Sequence, residues 1–293
     1  MRAVYGIVWL LFLSALLSAQ QPPDKTKSYM HYGLVQRHGG SATVLANDPR
    51  PLLQAITAVK EEYGWIVDFE DPPFTSHQDL IHNADPQWAG APRANARGVT
   101  VLAGGPFQSD YPEGPDLTST AAKEAVLQKI ITDYNRSGNP GKFRLVDEGG
   151  GRYAIVGAQV KDGGGGDRPA TAILDTPISI PSETRSGYQT VRVVVDALSD
   201  ASGVKVHLGL LADNVLYPSR VTAGGANIRA RDLLLQTLNA TQYAMDWQLL
   251  FDAGGRAYYL SILGASRVIQ DPSGERIKVG IGYPGRTRPP RPR

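Results

Sequence analysis

The chain has no cysteine among its 293 residues. That absence excludes disulfide staples, thiolate metal sites and cysteine nucleophiles, so folding has to rest on apolar burial. An excess of one charge is missing as well: 30 Lys and Arg stand against 28 Asp and Glu, a net charge of +2. No global field points to nucleic acid. A Gly-x-Ser-x-Gly elbow is absent, and the Gly163 to Gly166 run lacks the lysine and threonine of a phosphate loop. After the N-terminal segment no apolar run approaches the roughly 20 residues of an ordinary membrane helix. What is present is 42% hydrophobic residues, enough to build the cores of one or two domains without covalent help.

Residues 1–19 read as a secretory signal peptide. Arg2 supplies the charged start, Ile7 to Leu17 an apolar run of eleven residues, and Ser18 and Ala19 the small residues at which cleavage is expected. No cysteine follows to accept a lipid. A periplasmic or secreted bacterial protein is the resulting expectation. At the other end, residues 283–293 interleave Arg286, Arg288, Arg291 and Arg293 with prolines, a composition that cannot bury a core and predicts a disordered tail. Membrane contact is expected only through the signal segment, if uncleaved, or weakly through these four arginines.

Between these ends one pattern is written twice. Leu52, Ile56, Val59 and Tyr63 fall at helical spacing, Gly64 stops the helix, and a strand through Trp65 to Phe69 follows. Val191, Val195, Leu198 and Ser202, then Gly203, then Val204 to Leu208, repeat that order 139 residues later. A second pairing lies downstream. Val126, Leu127, Ile130, Ile131 and Tyr134 form a helix face before a hairpin that turns at Asp147 to Arg152; Leu233, Leu234, Leu235 and Leu238 do so before a hairpin that turns at Asp252 to Arg256. The expected fold class is α+β: two tandem small modules, each with two helices packed on short antiparallel or mixed sheets. The first module covers 28–160, a Gly-rich flexible linker 161–170, and the second module 171–268. A module that closes its own core implies that residues 173–263 fold alone. From Gly64 to Asp147 is 83 positions and from Gly203 to Asp252 is 49, so the first copy carries 34 extra residues. They fall in the Pro- and Gly-rich stretch 71–117, which reads as a long loop with one strand at Val99 to Leu102.

The second copy resembles the short N-terminal module of secretins and TonB-dependent receptors, the STN-like module. The likeness runs through Val204 to Leu208, Val221 to Ala223, the Asn227 to Leu238 helix entry and the hairpin ending Tyr258 to Ile262, and the first copy fits more loosely. It implies a non-catalytic piece of envelope machinery that packs on neighbours or receives a protein partner, with no cofactor.

Chemistry-bearing candidates are few. Arg37-His38-Gly39 is similar to the opening of a histidine phosphatase motif, but Ser41 stands where a second arginine is needed to clamp phosphate. His77, Asp79, His82 and Asp85 offer imidazole and carboxylate groups at a spacing that matches no zinc motif. No metal and no catalytic residue is assigned. His207 sits in a strand, and Trp65, Trp247, Tyr258 and Tyr259 read as core aromatics. Trp88, together with His77 and His82, is the candidate binding set, because an aromatic in a polar loop has no core to join. The expected function is an exported non-catalytic binding or assembly protein of the cell envelope with a protein partner. The competing expectation is a secreted hydrolase, phosphatase-like or metal-dependent, using the histidines of the first module.

Overall fold

A computed structural model describes residues 32–84, 99–114 and 116–281. The signal peptide at 1–19, Asp85, Trp88 and the 283–293 tail lie outside the described residues. The protein is a mixed α/β structure with five α-helices among the described residues and several small sheets around one larger one.

The first half opens with a hairpin of β1 (Leu34–Arg37) and β2 (Ser41–Asn47), then α1 (Pro51–Tyr63) and β3 (Val67–Glu70). Pro51 occupies the first turn of α1, where its fixed φ suits the helix and its missing N–H costs nothing. Gly64 ends the helix at φ 69°, the left-handed conformation that a side chain resists. The short pair β4 (Leu80–Ala84) and β5 (Val99–Leu102) precedes β6 (Pro106–Pro112), α2 (Thr120–Arg136), β7 (Lys142–Gly149), β8 (Arg152–Lys161) and β9 (Asp167–Pro169).

The second half runs β10 (Pro177–Ser186), α3 (Gly187–Ser202), β11 (Val206–Leu211), α4 (Asp213–Leu216), β12 (Arg220–Arg229), α5 (Ala230–Ala240), β13 (Met245–Asp252) and β14 (Ala257–Gly264). A capping box starts α3, with Ser186 and Gln189 each satisfying the other's backbone N–H. Gly203 ends it at φ 68°.

In each half the strand after the first helix runs parallel to the last strand of the hairpin: β3 beside β8, with Val67 opposite Tyr153, and β11 beside β14, with Val206 opposite Tyr258. In each half, too, the strand before the first helix pairs antiparallel with the strand before the second, β2 with β6 and β10 with β12. The larger sheet has the order β11–β14–β13–β3–β8–β7, with β9 added on β8. Its two halves meet where β13 runs parallel to β3, Gln248 opposite Phe69 and Leu249 opposite Glu70. Helices α1 and α2 cover the first half of this sheet, and α3 and α5 pack together over the second.

Two expectations change. The stretch 71–117, read as a loop with one strand, also holds β4 and all of β6, whose Phe107, Ser109 and Tyr111 face inward in strict alternation. Pro106 and Pro112 at its two ends made this edge strand read as loop. The glycine run 163–166, read as a flexible spacer, is the turn between β8 and β9, held by Asp162 Oδ1 accepting from the N–H of Gly164 (2.8 Å) and Gly166 (2.9 Å). Past residue 264 a further hairpin, β15 (Ser266–Gln270) and β16 (Arg276–Gly280), returns to α1 of the first half, where Lys278 pairs with Glu61 and Arg276 with Glu62.

Candidate functional site

Strand β3 and the residue after it read Val-Asp-Phe-Glu-Asp, and all three acids are buried: Asp68, Glu70 and Asp71. Burying carboxylates is costly unless each finds donors. Here Asp68 and Asp71 complete the short β13–β3 ladder, and Glu70 holds the turn that precedes β10. Asp68 Oδ1 accepts from Trp247 N (2.7 Å), Asp71 Oδ2 from Phe251 N (3.1 Å) and Glu70 Oε1 from Leu174 N (3.3 Å). Three cations join the same seam. Arg152 binds Asp68 with two nitrogens (2.5 and 2.8 Å), reaches Glu148 (3.2 Å) and donates to Met245 O (3.0 Å). Arg231 spreads over Glu70 (2.9 Å), Glu148 (3.2 Å) and Asp175 (2.8 Å), with its guanidinium 5.2 Å from the Trp247 ring centre. Lys60 pairs with Asp246 (2.9 Å).

The seam holds more carboxylates than arginines. Arg152 and Arg231 share the buried Asp68, Glu70 and Glu148, while the partly exposed Asp175 also meets Arg144 (3.7 Å). Burial pushes Asp68 up to about 8, against the pull of Arg152 and with Glu148 adding to the rise. It pushes Glu70 up to about 7, against the pull of Arg231. Lys123, whose ammonium donates to the carbonyls of Ile66 and Gly151, is pushed down to about 8 by burial, opposed by Asp68. This network joins the halves and lies too deep to meet a ligand.

The accessible site lies beside it. A cavity of about 470 Å³ opens where the entry to α1, strand β5 and the β13–β14 hairpin come together. Arg50 lies on its wall, donating to Asp71 Oδ2 (2.8 Å) and to Phe251 O (2.7 Å). Asp48 Oδ1 accepts from Arg50 N (2.7 Å) and Asp252 Oδ1 from Gly254 N (2.9 Å). Both acids, with Asp71, lie within electrostatic reach of the Arg50 guanidinium, so three carboxylates surround one cation. Leu250 and Val101 add apolar wall, and Tyr259, 42% exposed, adds an aromatic face whose ring centre is 5.2 Å from that of His207. The arrangement is suited to binding: polar groups on apolar walls.

The residues singled out from sequence divide. His77 and His82 do come together, Nδ1 to Nε2 at 3.1 Å, and His82 Nδ1 reaches Thr100 Oγ1 (3.1 Å), a residue of the cavity wall. Both histidines are exposed at the cavity's margin. Asp79 turns inward, and burial pushes its carboxyl up against the opposing pull of Lys161. No group of three or more His, Asp or Glu side chains able to hold a metal occurs among the described residues. His38 is exposed in the β1–β2 turn, and its neighbour Arg37 is engaged by Glu113 (2.8 Å) and Glu62 (3.1 Å). His207 is exposed. Trp65, Trp247 and Tyr258 are core, as expected, whereas Tyr259 is exposed.

Sequence reasoning missed Asp48, Arg50, Thr100, Asp252 and Tyr259. For the tyrosine a signal existed: adjacent strand residues face opposite sides, so Tyr258 and Tyr259 cannot both be core on a one-sided sheet. Comparison with family models, curated proteins and solved structures gave no match.

Proposed function

We propose that this chain is an exported, non-catalytic binding or assembly protein of the bacterial cell envelope, built as two tandem STN-like modules whose shared sheet carries a partner site. The observation that carries the reading is the recurrence of one topology: strand, helix, strand, strand, helix, hairpin, with the same parallel pairing after each glycine-capped helix. In the first module β4 and β5 are additional, and β5 forms one wall of the cavity against the second module's hairpin. A surface made where an insertion of one copy meets the other copy suits recognition of a protein segment, because neither copy alone presents it. The exported state follows from the composition of residues 1–19, and the non-catalytic reading from the cavity's apolar walls and ion-paired Arg50, the Thr100–His82 contact lying at its rim. Histidines 77 and 82 then serve as the cavity's margin.

The test is site-specific photo-crosslinking in the exporting cell from Tyr259, with Arg136 on the far helix as control. A discrete cross-linked protein from position 259 and none from 136 supports the reading; monomer alone from both contradicts it. Mass measurement of the mature N-terminus, expected after Ala19, tests export separately.

A further inference from the structure

The cavity's chemistry specifies its ligand more closely than "protein partner". Its polar wall carries Asp48 and Asp252 beside Arg50, and Arg50 is already committed to the buried Asp71 behind it and to Phe251 O. Among the described residues Asp48 and Asp252 are thus left to face a ligand, each with one oxygen engaged by a backbone N–H. Beside them stand the exposed Tyr259 ring and apolar Leu250. Carboxylates take guanidinium groups through charge-assisted bonds, and an aromatic face takes both a guanidinium plane and a proline ring. Grooves that combine the two features recognise arginine- and proline-rich extended segments.

This chain contains such a segment. Residues 286–293 read Arg-Thr-Arg-Pro-Pro-Arg-Pro-Arg. The last described residue, Ile281, donates its N–H to Ala265 O (2.8 Å) and lies against Gly64, at the C-terminal end of α1, while Asp48 and Arg50 stand at that helix's N-terminal end. Thirteen helical residues separate the two ends, about 20 Å at 1.5 Å per residue. An extended chain covers about 31 Å in ten residues, enough to carry the arginines past Ile281 to the cavity.

We propose that the cavity at the α1 entry is a docking site for an extended arginine–proline segment, and that its occupant in the free protein is this chain's own segment 286–293. The proposal rests on the reading of the cavity as the binding surface. A tethered segment of this length acts at an effective concentration of about a millimolar, so an intrinsic affinity of about 100 µM suffices for the tail to fill its own site and to hold off competitors about tenfold. A partner then has to displace the tail.

The experiment uses the full chain, a full-length R286S/R288S/R291S/R293S variant, and a fluorescent synthetic peptide of the sequence 286–293, read by anisotropy at low salt. The Ser variant is expected to bind the peptide about tenfold more tightly than the wild type. Adding Asp48→Asn and Asp252→Asn to it is expected to remove about tenfold or more; both asparagines keep the backbone-capping acceptor, and far-UV circular dichroism checks the fold. Tyr259→Ser, at an exposed position, gives an independent second loss. Equal peptide binding by wild type and Ser variant overturns the tail as occupant while leaving the cavity as a binding surface. Insensitivity to the asparagine and serine changes overturns the ligand class. A wild-type dimer that the Ser variant lacks, seen by sedimentation, overturns occupancy within one chain in favour of exchange between two. Loss of the Tyr259 cross-link in cells, by contrast, bears on the functional reading alone.

Discussion

Strands β3 and β11 each follow a helix capped by a left-handed glycine, and each runs parallel to the last strand of its own hairpin, yet they do opposite work. Every residue of β3 is buried, whereas in β11 only Val206 is. Asp68, four residues past Gly64, binds Arg152 and the backbone of β13, while His207, four residues past Gly203, faces solvent beside Tyr259. Glu70 holds Arg231, and the corresponding position in β11 is Gly209. One backbone plan thus yields a sealed joint in one half and an open edge in the other. The side chains choose, because a strand edge is closed only when its backbone groups and neighbouring charges are satisfied. The far edge, β7, shows the same rule by another route: the Asn135 side chain accepts from Phe143 N (2.9 Å) and donates to Phe143 O (2.8 Å).

Breaking the joint is expected to have the largest effect. Replacing Arg231 by Met leaves Glu70 and Glu148 buried beside an apolar side chain, and removal of one partner from such a network costs about 3–5 kcal/mol. Urea unfolding measures it.

The pH dependence should be next in size. Asp68 and Glu70 bind protons more tightly when folded than when unfolded, with folded values of about 8 and about 7. Their stabilising contribution is full below the ordinary carboxylate range and is lost as pH rises through 7 and 8. Lys123, held down to about 8, offsets part of this loss by gaining stability above pH 8, so thermal scans at pH 6 and pH 9 should show a fall in Tm of about 5–10 °C, equivalent to roughly 2–3 kcal/mol for a chain of this size. Glu148→Gln removes one of the excess carboxylates and should flatten that slope.

A smaller effect compares the two caps. Gly64→Ala and Gly203→Ala each place a side chain at positive φ and should cost about 1–2 kcal/mol. The two sites should cost alike, because a Cβ at Gly64 would make only ordinary contacts, 3.4 Å to Arg267 and 3.5 Å to Ile281, and Gly203 faces open space. At the open edge the effect should vanish. His207→Ala and Leu210→Lys are expected to change stability by no more than about 0.5 kcal/mol, since Leu210 is 72% exposed.

Much of this plan was legible in the sequence. Apolar spacing gave the helix faces of α1, α2, α3 and α5 and the glycines that end α1 and α3, because a 3.6-residue period is local information. Both Asp-to-Arg hairpin turns were legible too, each built on an aspartate that accepts from the N–H two residues on. The seam was not. Val-Asp-Phe-Glu alternates like a half-exposed strand, and only pairing with residues more than 100 positions away reveals that its polar side is buried. Strand β6 was hidden by its prolines, and the cavity by the distance in sequence between Asp48, Thr100 and Asp252. Of the candidate binding set, His82 meets Thr100 of the cavity wall, and Trp88 lies outside the described residues. The expectation that residues 173–263 fold alone took no account of Arg231 and Trp247, which such a fragment presents at a raw edge without Glu70, Glu148 or Asp68.

Hydrogen exchange followed by mass spectrometry, strand by strand, tests the central contrast most directly. A sealed joint predicts that peptides from β3 and β13 exchange slowest and with the same opening free energy, while β11 exchanges well before either. Equal protection of β3 and β11, or opening of β13 independently of β3, would contradict it.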